Sequence, residues 1–71
     1  MGVLLNGKEI FDRIEQVRLE KSMSKIKLAK EVGMSPSNFY DTMTLLQKNK
    51  IRYHNIIKIV DYLGIDLGIR F

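Results

Sequence analysis

Residues 24–43 read SKIKLAKEVGMSPSNFYDTM, a stretch that spells two short helices joined by a tight turn. Ser24 offers a hydroxyl to cap a helix whose inward positions Leu28, Ala29 and Val32 share one face of a 3.6-residue repeat. Gly33 ends it, because glycine alone enters the left-handed conformation at no steric cost. Ser35 caps the next helix, and Pro36 takes its first position, where the missing N–H would have had no partner in any case. Phe39 and Met43 stand one turn apart with Leu46 on the turn after, so the second helix has a buried stripe of its own. The small side chain of Ala29 lets the two helices cross closely.

The spacing S-x-x-x-L-A-x-x-x-G-x-S-x-x-x-F over residues 24–39 resembles the helix-turn-helix of the lambda-repressor/Cro superfamily, the xenobiotic-response-element type. The likeness extends back to Ile14, Val17, Arg18 and Met23 and forward through Ile56, Ile57, Ile59, Val60, Leu63 and Gly64. It implies a mainly α, four-helix lambda-repressor-like domain over residues 1–71, with the helix-turn-helix proper at 24–46. Caps and periodicity place the helices near 8–21, 25–32, 36–46 and 53–63. Asn6 followed by Glu9 has the form of a capping box at the first of these, and helical spacing from Lys8 onward overrides the hairpin turn that Asn6-Gly7 also permits. Ile10, Ile14 and Val17 form its inner stripe with Phe11 beside it, Met23 plugs the core beneath the second helix, and the fourth helix buries Ile56, Ile57, Val60 and Leu63 before Gly64 closes it.

The last residues alternate strictly, with Ile65, Leu67, Ile69 and Phe71 on one side and Asp66, Gly68 and Arg70 on the other. That is a strand pattern, and Gly68 inside a fifth helix would cost roughly 1 kcal/mol. A short terminal β-strand of Cro-like kind is therefore favoured over the fifth helix of many relatives, with residues 3–5 as a pairing partner and Ile65, Leu67, Ile69 and Phe71 as a homodimer interface.

The chain's 71 residues make one domain, and its small core gives association a motive. There is no cysteine, no basic leader ahead of an apolar run, and no stretch of about 18 apolar residues, which points to a cytoplasmic protein without membrane contact. The net charge of +4 is unevenly spread. From Lys21 to Lys58 there are eight basic residues against Glu31 and Asp41, while the remainder is net acidic and the first helix carries Glu9, Asp12, Glu15 and Glu20. A positive field concentrated on the helix-turn-helix and the loop after it is the footprint of a polyanion binder.

On a wheel of about 100° per residue, the third helix turns Ser37, Asp41, Thr44 and Lys48 away from Phe39, with Asn38 and Tyr40 at the flanks. Ser37, Asn38, Tyr40, Asp41 and Thr44 are the expected base-contacting residues, since short polar groups can bond base edges in the major groove and a carboxylate can accept from cytosine. Lys25 and Lys27 at the start of the second helix, with Lys48, Lys50 and Arg52 in the loop that in the family follows the phosphate backbone, are the expected phosphate contacts. Three features depart from the family. Lys25 stands where glutamine is common, Met43 stands where an acid often pairs with the counterpart of Arg18 so that Asp41 is a substitute partner, and the third helix or its loop is one residue longer.

These readings converge on a sequence-specific transcriptional regulator of double-stranded DNA, a phage or mobile-element repressor acting by operator occupancy as a symmetric dimer. The alternative is a protein-interaction module on the same fold, an antitoxin or anti-repressor using Leu45, Leu46 and the terminal apolar residues. An enzyme is not expected, since one histidine and no cysteine, phosphate-cradling glycine loop or paired acidic motif are present. No metal, cofactor or small-molecule ligand is expected either, and RNA is disfavoured because Tyr40 and Tyr53 alone could stack bases.

Overall fold

A computed structural model describes residues 6–65 and shows four helices: α1 (Gly7–Glu20), α2 (Lys25–Glu31), α3 (Pro36–Gln47) and α4 (Tyr53–Leu63). No strand occurs among the described residues. The expected terminal strand at 65–71, apart from Ile65, and its pairing partner at 3–5 lie outside them, with Leu67, Ile69 and Phe71 of the expected dimer interface. No helix among the described residues is long and apolar enough to cross a membrane.

Three helix starts are capped as their sequences predict. The Asn6 side chain accepts from the Glu9 N–H at 2.9 Å, the Ser24 hydroxyl from the Lys27 N–H at 3.0 Å, and the Ser35 hydroxyl from the Asn38 N–H at 3.2 Å. α4 begins at Arg52 without a side-chain cap.

All four ends share one construction. A residue at positive φ follows the helix: Ser22 at +54°, Gly33 at +74°, Asn49 at +61° and Gly64 at +72°. The next N–H reaches back to a carbonyl inside the helix, from Met23 to Arg18, Met34 to Ala29, Lys50 to Leu45 and Ile65 to Val60, which satisfies carbonyls the helix leaves open. At three of these ends that following residue is apolar and packs on the core, as Met23, Met34 and Ile65 do. The end of α3 is the exception, because Lys50 is exposed.

α1 packs against α3 and α4, and α2 against α3. Ile14, Leu28, Ala29, Leu46 and Ile59 are fully buried at their meeting, with Phe39 only 1% exposed. Ala29 takes the contact expected of it. Ile57 does not: it is 37% exposed, and Ile59 is buried in its place. With Ile56 facing inward, the positions three, four and seven residues on complete the stripe, which are Ile59, Val60 and Leu63, and Ile57 lies about 100° away.

Two partly buried polar links brace the fold, one between helices and one within α1 and the turn that follows it. Thr42 is fully buried on α3 and its hydroxyl accepts from the Asn55 amide of α4 at 3.1 Å. Arg18 of α1 donates to both carboxylate oxygens of Glu15, at 3.0 and 2.8 Å, and to the Met23 carbonyl at 2.6 Å. The expected substitution of Asp41 as partner for Arg18 is therefore not what the fold uses. Glu15 lies one turn back on the same helix and meets the planar guanidinium with both oxygens, while Asp41 points to solvent.

Candidate nucleic-acid interface

Once Phe39, Thr42, Met43 and Leu46 are turned into the core, the rest of α3 is left as an outward face. Ser37, Asp41, Thr44 and Gln47 are exposed along it, Asn38 is half-buried, and Tyr40 is 43% exposed with its ring edge-on to Phe39 at 6.1 Å between centroids. The polar side chains expected to read base edges thus stand on an accessible surface, with Asn38 the most enclosed.

One flank of this face meets α2. Lys25, Tyr40, Thr44 and Gln47 surround a cleft of about 100 Å³, together with the apolar side chains of Phe11, Phe39 and Met43. Glu15 also lines the cleft. The hydrogen bond from Arg18 holds its carboxyl below the usual value, partly offset by burial, so it stands ionised beside Lys25 but with its charge already engaged. The structure therefore brings Lys25 together with Tyr40 and Thr44, a grouping that spacing along the chain does not reveal. Gln47 joins them as a polar side chain that sequence reasoning left unassigned, although it lies seven residues after Tyr40, two turns along the same helix face.

Lys27 is exposed in the first turn of α2, where its backbone N–H is taken by Ser24. α2 has only seven residues and so a short macrodipole, which leaves the lysine side chains as the means by which this end would hold an anion.

At the other flank α3 runs directly into the basic connection. Lys48, Lys50 and Arg52 are all exposed, while Ile51 between them is half-buried against the core. Among the described residues the one close ion pair is Arg18 with Glu15, so none of Lys27, Lys48, Lys50 and Arg52 is paired with a carboxylate there, while Lys25 feels the Glu15 charge across the cleft without a direct pair. Exposed cations on both flanks of a polar helix face form an arrangement that can hold two phosphate tracks with base edges between them.

Leu46 is fully buried and Leu45 half-buried, so the apolar patch that a partner protein was expected to use at these two residues is not on offer. Among the described residues the exposed large apolar side chains lie at Leu19, Ile26, Tyr40, Tyr53, Ile57 and Tyr62. Tyr62 is itself engaged, its hydroxyl donating to Glu31 of α2 at 3.2 Å. Ile65 of the expected dimer segment is half-buried against the chain's own core.

Comparison with protein-family models, curated proteins and solved structures yields no match to this chain.

Proposed function

We propose that this chain is a sequence-specific double-stranded DNA-binding protein of the lambda-repressor/Cro helix-turn-helix type, a small phage or mobile-element regulator that acts by occupying an operator. The observation that carries the reading is the pairing of an exposed polar α3 face with exposed cations on both flanks: Lys25 across the cleft from Tyr40 and Thr44, and Lys48, Lys50 and Arg52 beyond its C-terminus. The sequence resemblance adds weight to it.

In this mechanism α3 lies in the major groove. Ser37, Asn38, Tyr40, Asp41 and Thr44 read bases, and the five cations fix register on the backbone without reading sequence. Thr44 and Tyr40 line one cleft with Lys25, so they stand at the flank where base reading and backbone contact meet. Occupancy by a homodimer would place two such helices about one helical turn of DNA apart.

The test is selection of bound sequences from a random duplex pool, with affinity measured over a range of salt. An enriched motif, and a log-log salt slope of several units, is the expected result. A pool with no enriched motif, combined with capture of a partner protein, transfers the fold to the protein-interaction alternative.

A further inference from the structure

We infer that Asn49 is a positioning residue for the cations of the α3–α4 connection, acting through a clasp onto Gly7; the inference rests on the DNA-binding reading above. The connection has to leave Lys48, Lys50 and Arg52 in water and still hold a shape. Elsewhere in the fold that problem is solved by an apolar residue just past the left-handed position, and at α3 that place is taken by exposed Lys50.

Asn49 supplies the missing anchor. Its amide oxygen accepts from the Gly7 N–H at 2.6 Å, joining residues 42 apart in sequence. That N–H belongs to the first turn of α1, where no carbonyl within the helix can reach it, so the start of α1 and the end of α3 share one bond. The approach is close enough to demand glycine. A Cβ at Gly7 would run into the Leu46 carbonyl and lie 2.8 Å from the Asn49 Cα. Asn49 itself is held at a φ of +61°, which asparagine tolerates better than most residues. Two residues on, Ile51 packs against the core.

The connection is thus pinned at 49 and 51 and presents its cations from 48, 50 and 52. A loop already ordered in the free protein loses less conformational freedom when it meets the phosphates, so the clasp strengthens binding without touching DNA.

Asn49→Gly tests this role: it keeps the left-handed backbone at no steric cost, leaves the charge unchanged and removes the acceptor, and because glycine also adds backbone freedom at 49, the Gly7 amide is the readout specific to the bond. In the free variant, the Gly7 amide should exchange with solvent about tenfold faster or more and the backbone order parameters of residues 48–52 should fall, a loss read on the fast timescale. Affinity for a 20-base-pair duplex of mixed sequence should weaken about three- to tenfold, the size of one hydrogen bond's net effect. The salt slope should stay unchanged, since the same cations still reach the phosphates.

Val17→Ala, which loosens α1 against the core instead, is the control, compared at equal fraction folded. Asn49→Gly binding within twofold of the parent, or no worse than Val17→Ala, overturns the proposal, as does unchanged ordering of residues 48–52. A parent protein that shows no salt-dependent binding to the duplex refutes the DNA reading itself, an outcome distinct from a parent that binds and a variant that binds equally well.

Discussion

Ser22 is held in the left-handed region by hydrogen bonds on both sides of it, its own N–H to Leu19 and that of Met23 to Arg18. A Cβ there costs on the order of 1 kcal/mol that glycine would not. Ser22→Gly should therefore stabilise the fold by about 0.5 to 1 kcal/mol, seen in thermal unfolding as a rise of several degrees for a domain this small. The reverse change, Gly33→Ala, should cost about as much, because nothing lies within 4 Å of the added methyl and only the backbone conformation opposes it. Gly33 and Gly64 are legible as helix ends in the sequence because glycine advertises the conformation. Ser22 adopts it without advertising it and Asn49 advertises it only weakly, and the Gly7–Asn49 contact could not be read from the chain because it joins residues 42 apart.

Glu15 belongs to the same scale. Its folded-state carboxyl is held below the ordinary value by the hydrogen bond from Arg18, with burial opposing. A depressed carboxyl contributes stability that is present above its unfolded value near 4.5 and is lost as pH falls through the folded value. Thermal unfolding followed from pH 7 to pH 2 should show this loss in the acid range, and Glu15→Gln should flatten that part of the curve while lowering stability at pH 7 by up to about 1 kcal/mol, the scale of a partly solvated ion pair, since the glutamine oxygen can still accept one bond from Arg18. Asp41 behaves differently, since it is exposed and has no part in the Arg18 pair. Asp41→Asn should leave the melting temperature unchanged. If the residue reads a cytosine it should shift preference at one base position, at roughly 1 to 3 kcal/mol of discrimination, whereas stronger binding to every sequence would mark it as a repulsive charge only.

At the scale of elements, most of the fold is legible because cap, period and stop agree with one another along each helix. α1, α2, α3 and α4 begin and end within about two residues of where their caps and glycines place them, which is the usual limit of such boundaries. The exceptions are side chains whose environment depends on two helices at once. Thr42 is polar and sits between the apolar stripe and the outward face, so neither periodicity claims it, yet Asn55 gives it a partner and lets it be buried. Ile57 looks as apolar as its neighbours, and only the angle at which α4 meets α1 decides between it and Ile59. The candidate interface is legible in the same uneven way: the outward residues of α3 follow from the wheel, but the grouping of Lys25 with Tyr40, Thr44 and Gln47 needs the crossing of α2 over α3. That grouping makes a prediction for α2. If Lys25 neutralises one phosphate in each subunit, Lys25→Ala should weaken binding to all duplexes and lower the log-log salt slope by about 0.9 per subunit. Asn38→Ala should leave the slope alone and change the selected motif, and a Lys25→Ala protein with an unaltered slope would remove α2 from the proposed backbone contacts.

For the molecule as a whole, the question is what a core of this size can support. About a dozen apolar side chains are buried, and domains this small usually gain from a second surface to bury. The proposed answer is a homodimer, and the residues proposed for it are Ile65, Leu67, Ile69 and Phe71. Ile65 is engaged with its own core through the cap of α4, which concentrates the proposal on the three that follow. Replacing Leu67 and Phe71 together by lysine would put charge into any apolar contact they make. Sedimentation of the parent protein should show a dimer, or a monomer that becomes a dimer on a duplex carrying two half-sites one turn apart, and the double variant should remain a monomer in both settings. On a single half-site the variant should bind at least as well as the parent, because its α3 face is intact and it carries two added positive charges. On the paired site it should lose the steep dependence on protein concentration that dimer binding produces. A parent protein that stays monomeric at high concentration and binds each half-site independently would show that operator occupancy, if it occurs, needs no dimer and that the alternating apolar residues at the C-terminus serve some other contact.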